Sequence, residues 1–325
     1  MKNAKNNNNN IEVLLETYHP RMSFEVLHHS ENYKKILYLI NENKLHHALL
    51  LCGNKGVGKA TFAYKIAEIL LDNTEKSIKL IKACSHPNLL VIEPDFDSVK
   101  NEYKNVITID KIRTINLFFN HTSFDYKNKV IIIDSIDLLN TNSINAILKA
   151  LEEPPKNTFF LITCNNVHKL LDTIKSRCLL IKFDNLNNEV LEKIIKNNLK
   201  INISNIGLNY LEYLDGTLSN LNWILNNKNK NIINDIEDLF INNKIDNLIE
   251  LKNRWGNIDE YSFFIIVNII KKKLLSLYKN NNNFKIFAII DYITSIENKI
   301  FTINLDVYSI LLIICLSIYD ILILE

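Results

Sequence analysis

The segment Gly53-Asn54-Lys55-Gly56-Val57-Gly58-Lys59-Ala60-Thr61 stands between an apolar run ending at Cys52 and a stretch of helical spacing. Gly53, Gly56 and Gly58 would let successive backbone N–H groups curl around an anion, with a helix start behind them. Lys59 would neutralise the β- and γ-phosphates of a nucleotide. The plain alternative is a glycine-rich turn that opens a helix. One position departs from the phosphate-loop pattern, which wants Ser or Thr directly after the lysine as a Mg²⁺ ligand. Ala60 stands there. Thr61 lies about 100° further round the helix and is a poor substitute. The expectation is weak ATP binding with impaired metal chemistry.

Val130-Ile131-Ile132-Ile133-Asp134-Ser135 reads as a buried strand ending in a carboxylate that could face the nucleotide's Mg²⁺. The other reading of Asp134 is an acid closing a core strand beside a turn. Hydrolysing phosphate-loop proteins with an Asp-Glu pair use the glutamate to orient water. Ser135 takes that place here and is no general base near neutral pH. Asp137, two residues on, is the nearby acid that would have to compensate. Asn165, in Thr163-Cys164-Asn165, is placed either to sense a γ-phosphate or to cap a strand end. His46 and His47 lack metal-like partner spacing and read as packing or hydrogen-bonding residues.

The elements that must position these side chains alternate. His47–Cys52, Leu89–Ile92, Val130–Ile133, Thr158–Thr163 and Leu179–Phe183 are short apolar runs that predict buried parallel strands. Lys59–Leu71, Asp110–Phe119, Ser143–Glu153 and Val167–Lys175 carry helical spacing between them. The alternation predicts a doubly wound α/β layer with both sheet faces covered. After Asp184 the strand signal stops. Glu189–Asn198, Gly207–Leu214 and Leu218–Asn226 predict a small three-helix unit. Lys228–Lys230 and their Asn neighbours read as a linker, and Phe263–Leu277 and Val307–Leu324 as helices of an all-α C-terminal domain.

Composition narrows the function. The chain has 325 residues and a net charge of +2, so any nucleic-acid contact must come from a local patch or from partners. Cys52, Cys84, Cys164, Cys178 and Cys315 form no C-x-x-C pair, which excludes a disulfide scaffold and a zinc ribbon and fits a reducing, cytoplasmic setting. The opening run to Asn10 lacks the apolar core of a signal peptide. Val307–Tyr319 is shorter than the roughly 18–20 residues a membrane span needs and reads as a buried helix. Lysine outnumbers arginine 34 to 4 beside 50 Asn and 51 Ile, a bias that makes the rare arginines and glycines the informative residues.

One arginine stands out. Asn145-Ala146-Ile147-Leu148-Lys149-Ala150-Leu151-Glu152-Glu153-Pro154-Pro155, followed by Ser176-Arg177-Cys178, resembles the bacterial clamp-loader AAA+ family. Leu45-His46-His47-Ala48 and Ser85-His86-Pro87-Asn88-Leu89 are similar to that family too, and the likeness covers most of residues 15–220. Beyond about 235 the chain matches only as a helical collar of the right length. The resemblance implies an AAA+ P-loop domain over 1–184, a helical lid over 185–230 and an oligomerising helical collar over 231–325. Within the family the delta-prime branch looks nearest. By this resemblance Arg177 is an arginine finger that enters a neighbour's ATP site, a task for which lysine is no substitute. A surface salt bridge is the alternative reading. Gly216-Thr217-Leu218-Ser219-Asn220 is similar to the family's lid segment, with Ser219 where an arginine would touch nucleotide. Of the family's four zinc-binding cysteines only Cys84 remains, so no zinc is expected.

Ala60, Ser135 and Ser219 beside an intact S-R-C lead to one expectation: a clamp-loader subunit that does not hydrolyse ATP itself and lends Arg177 to a neighbour. The partners the resemblance implies are gamma/tau and delta subunits, the sliding clamp and, through the complex, primed DNA, with no membrane. DNA contact would be non-specific, through backbone N–H groups and lysines such as Lys271–Lys273 unless these form a solvated face. The alternative is an active AAA+ ATPase of the gamma/tau or branch-migration type, with Thr61 and Asp137 standing in for the missing groups. A small-molecule phosphotransferase is a third class, opposed by the helical C-terminal half and by S-R-C.

Overall fold

The computed structural model describes residues 19–22, 29–97, 102–103, 106–120, 128–198, 210–242, 255, 258–281, 284–297 and 306–323. The Lys/Asn-rich opening, Gly207 and Leu324, on which parts of the sequence reading fell, lie outside the described residues. The chain forms two compact units: residues 1–203 with 216–218, and residues 204–215 with 219–325. The stretch 185–230, expected as one lid, is divided between them.

The first unit is built on a parallel sheet of β1 (Ala48–Cys52), β2 (Leu89–Ile92), β5 (Lys129–Ile133), β6 (Thr158–Cys164) and β7 (Leu179–Lys182) in the order β2-β5-β6-β1-β7. A short antiparallel ribbon of β3 (Phe96–Asp97) and β4 (Glu102–Tyr103) comes after β2. The five predicted strands are these five. Side chains of the central strands β1, β5 and β6 alternate between two cores, which is why those runs read as continuously apolar. Ile131 and Ile133 of β5 pack with Ile112 and Ile115 of α4 (Ile109–Asn120) and Ile147 and Leu151 of α5 (Thr141–Glu152). Val130 and Ile132 face the other way, onto Ile36 of α1 (Ser30–Asn41), Phe62 and Ile66 of α2 (Lys59–Leu70) and Ile81 of α3 (Glu75–Lys82). The sheet is doubly wound, as expected.

Three local readings are corrected. Val167–Lys175 is not one helix but a 3₁₀ turn, Val167–Lys169, and a single-turn α6 (Asp172–Lys175). Leu171 between them is extended at φ −63°, ψ 141°, and Asn166 caps the first piece by accepting from the His168 N–H. Helices α1 and α3 were not anticipated; α3 begins at Thr74, whose side chain accepts from the Ser77 N–H, a start signal present in the sequence. The supposed linker at Lys228–Lys230 lies inside α10 (Asn227–Asn242), which comes after α7 (Asn188–Lys193), α8 (Tyr210–Leu214) and α9 (Leu221–Leu225). Asparagine costs a helix only about 0.7 kcal/mol or less per residue. Burying Ile232, Ile236 and Leu239 outweighs it.

The described secondary-structure elements of the second unit are all helices. Besides α8, α9 and α10 it holds α11 (Glu260–Asn281), α12 (Lys285–Glu297) and α13 (Val307–Ile323). Trp223 Nε1 donates to Ser262 Oγ at 2.8 Å and Trp255 Nε1 to Asp235 Oδ2 at 2.7 Å, so two large buried rings are also fixed in orientation. Among the described residues, no helix is long and apolar enough to cross a membrane. Lys271 pairs with Glu297 at 2.5 Å, Lys272 with Asp215 at 2.8 Å and Lys273 with Glu237 at 3.7 Å. Each of these three lysines is thus paired with a carboxylate of its own unit.

Candidate functional site

The loop after β1 opens at the carboxyl edge of the sheet, where β1 lies between β6 and β7. Chain connections diverge there, the usual place for a ligand in an open α/β sheet. Gly53 is required by packing: a Cβ on it would sit 2.3 Å from the Phe183 carbonyl oxygen. Gly58 is required by backbone shape, because it starts α2 with φ +97°, a left-handed value. The first intrahelical bond runs from Phe62 N–H to the Gly58 carbonyl at 2.9 Å. The N–H groups of Lys59, Ala60 and Thr61 therefore precede it and belong to the anion-attracting helix start.

Lys59 folds back over this loop. Its Nζ donates to Gly53 O at 2.8 Å, Asn54 O at 2.7 Å and Asn165 Oδ1 at 2.9 Å, which uses all three ammonium protons. The side chain is buried, and that desolvation lowers its pKa to about 8, with Asp134 and Asp137 partly opposing the shift. Asn165 is the hub of the site. Besides accepting from Lys59, its Nδ2 donates to Ser135 Oγ at 3.1 Å and its backbone N–H to Asp137 Oδ1 at 3.0 Å. Asp137 is thus engaged in holding the turn after β6, a bond not foreseen in its reading as a compensating acid.

Asp134 comes directly after β5 and accepts from Thr163 Oγ1 at 2.6 Å, while Thr163 Oγ1 accepts from the Ser135 N–H at 2.8 Å. Ser135 adopts φ 65°, ψ 65°, so the chain turns sharply just where a water-orienting carboxylate would be needed. Gly53, Gly56, Gly58, Lys59, Asp134 and Asn165 all lie along the sheet edge formed by β5, β6 and β1. Thr61 sits half-buried one residue past Ala60 on α2. The backbone of this edge fits an anion; Ala60 offers no side-chain oxygen beside Lys59, and Ser135 no carboxylate beside Asp134. Ser219 belongs to the second unit, where its hydroxyl donates to Asn220 Oδ1 at 3.2 Å and its carbonyl accepts from Tyr261 at 2.8 Å. Among the described residues no cluster of three His, Cys, Asp or Glu side chains could hold a metal ion, and Cys84 Sγ accepts instead from Arg21 Nη1 at 3.1 Å.

Arg177 is elsewhere. It precedes β7, whose Leu179 pairs with Leu49 near the start of β1. It therefore lies at the amino edge of the sheet. The four residues of β7, at about 3.3 Å each, put roughly 13 Å of strand between it and the loop. Its Nη1 donates to Thr173 O at 2.9 Å and its Nη2 to Glu152 Oε1 at 2.5 Å, and its side chain is 34% exposed. Glu152 ends α5, whose neighbouring Leu151 carbonyl is hydrogen-bonded by His47 Nε2 at 3.1 Å. Sequence reasoning held open a salt bridge for Arg177 without naming its partner, because residues 152 and 177 meet only through the fold.

A family model described as DNA polymerase III, delta subunit, matches residues 28–187. The delta-prime subunit of DNA polymerase III from Buchnera aphidicola subsp. Schizaphis graminum is 38% identical over 178 residues, 54% of this chain and 54% of that protein. The delta-prime subunit of Bacillus subtilis is 32% identical over 167 residues, 49% of this chain and 48% of that protein. The chain thus spans about half the length of these delta-prime relatives. The gamma subunit from the same Buchnera is 31% identical over 247 residues, 72% of this chain and 68% of that protein. Among solved structures, a DNA polymerase III gamma-subunit-related protein of Thermotoga maritima shares the fold, with a TM-score of 0.53 at 20% identity over 88% of this chain and 98% of that one.

Proposed function

We propose that this chain, which belongs to the clamp-loader family of DNA polymerase III delta-prime and gamma subunits, works as a delta-prime-like subunit that does not turn over ATP and lends Arg177 to a neighbour's triphosphate. The observation that carries this reading is the separation of the two charged groups. Lys59 is buried and fully engaged at one edge of the sheet; Arg177 is half-exposed at the other. Because strand length keeps Arg177 away from its own loop, a triphosphate it serves has to belong to another subunit.

Magnitudes support the role. An exposed ion pair such as Arg177–Glu152 is worth about 0–1 kcal/mol. An arginine finger contributes about 10³–10⁵ in rate, or roughly 4–7 kcal/mol of transition-state stabilisation at 1.36 kcal/mol per factor of ten. Releasing Glu152 is a small cost beside that gain. At the chain's own loop the balance runs the other way. A phosphate must displace carbonyl and carboxamide partners from Lys59, and with Ala60 at the ligand position Mg²⁺ gains no hydroxyl there. Any ATP held at this loop is therefore bound weakly and left intact. In the loader, the partners of this reading are gamma/tau and delta subunits, the sliding clamp and primed DNA.

The test is ATP turnover by the purified chain with Mg²⁺, beside nucleotide titrations with and without the metal. No turnover and metal-independent, weak binding are expected. Brisk turnover abolished by Lys59→Ala would replace this reading with that of an active ATPase.

A further inference from the structure

Two of the five cysteines meet. Cys52 and Cys164 are the last residues of β1 and β6 and are direct register partners. Both point into the sheet face that carries Leu50 and Ile162. Adjacent strands run about 4.8 Å apart, inside the roughly 4.4–6.8 Å between Cα atoms that a disulfide spans. Both are free thiols, 7% and 0% exposed, and the Cys52 thiol donates back to the Leu50 carbonyl at 3.8 Å. The neighbouring Cys164 thiol and the nearby Lys59 ammonium hold the Cys52 thiol below its ordinary range, although burial opposes them; the Cys52 neighbour and burial push Cys164 up. The pair therefore combines a nucleophile, Cys52, with a protonated neighbour in contact. Nothing in the proposed activity uses either sulfur.

We propose that Cys52 and Cys164 form a thiol–disulfide modification site beneath the phosphate loop, closed by a small hydroperoxide. The Cys52 thiolate attacks a peroxide oxygen, the O–O bond breaks, and the departing oxygen leaves as water or alcohol once protonated. Cys52 is then a sulfenic acid. The Cys164 sulfur attacks that sulfur, the S–S bond forms, and the S–O bond breaks; the leaving hydroxide takes the Cys164 proton and departs as water. The two sulfurs together lose two electrons and the peroxide gains them. Cys52, the less enclosed of the two, is the point of entry. Beyond the pair Gly53 N–H donates to Cys164 O at 3.2 Å, while Phe183 N–H holds the Cys52 carbonyl on the β7 side at 2.7 Å. Gly53 and Asn165, the next residues, both hold Lys59. The bridge therefore clamps the base of the loop.

The experiment treats the full chain carrying Cys84→Ser, which removes the exposed competitor, with hydrogen peroxide under native conditions. Free thiols are then alkylated and the chain digested with trypsin. The expected product joins peptide 45–55 to peptide 157–169, shows the loss of two hydrogens in the intact mass, and is reversed by dithiothreitol. The link is absent when Cys52→Ser or Cys164→Ala is added. Amide exchange across 53–59 slows in the oxidised form. Full alkylation of both cysteines after peroxide overturns the proposal, as does a link that forms only in the urea-unfolded chain. Unchanged exchange at 53–59 overturns the clamp.

Discussion

The two edges of one parallel sheet carry the molecule's two informative cations in opposite states. At the carboxyl edge Lys59 is buried and satisfied by the chain's own carbonyls and by Asn165. At the amino edge Arg177 stands half-exposed, held by a carboxylate and one helix carbonyl. A charge committed internally contributes chiefly to structure, whereas one held by a weak surface pair remains available to another molecule. The same fold keeps both, because parallel strands send the loop leaving β1 and the turn entering β7 to opposite edges.

The largest test of that contrast is Arg177→Ala in the assembled loader. Hydrolysis at the interface it enters should drop by about 10³–10⁵, and Arg177→Lys should not restore it; single-turnover ATPase assays would decide. The same substitution should leave the chain's own stability within about 0.5 kcal/mol, as for other surface changes. Lys59→Met should do the reverse. It removes the donor shared by Gly53 O, Asn54 O and Asn165 Oδ1 and should cost about 1–3 kcal/mol in urea unfolding. Turnover at the Arg177 interface should persist.

A pH series gives a smaller, signed effect. Burial lowers Lys59 from 10.5 to about 8. Between those values the unfolded chain binds the extra proton, so this residue makes stability rise with pH across that window. Phosphate binding at the loop should fall as pH passes about 8, and Lys59→Met should abolish both trends. Glu152→Gln, which breaks the same surface pair from its other side, should likewise change stability by less than about 0.5 kcal/mol, measured by thermal melting.

The sheet was legible because its central strands β1, β5 and β6 are buried on both faces, leaving uninterrupted apolar runs between turn residues. The loop was legible because its glycines and lysine are consecutive in the chain. What was not legible depends on residues brought together from afar. Asp137 accepts from the backbone of Asn165, Glu152 accepts from Arg177, and Cys52 lies beside Cys164. Each pairing is set by strand order, which apolar runs alone do not reveal. The asparagine-rich start of α10 misled for another reason: local composition argued for a loop, while isoleucines one and two turns later supplied the packing that makes a helix.

Gly53 has a consequence for how such proteins age. Any side chain there would be driven into the Phe183 carbonyl, whether or not a nucleotide ever arrives. A descendant that had wholly abandoned nucleotides would still be obliged to keep this glycine for the sake of its neighbouring strand. Retired loops of this kind will go on looking employed to anyone who scans genomes for the motif.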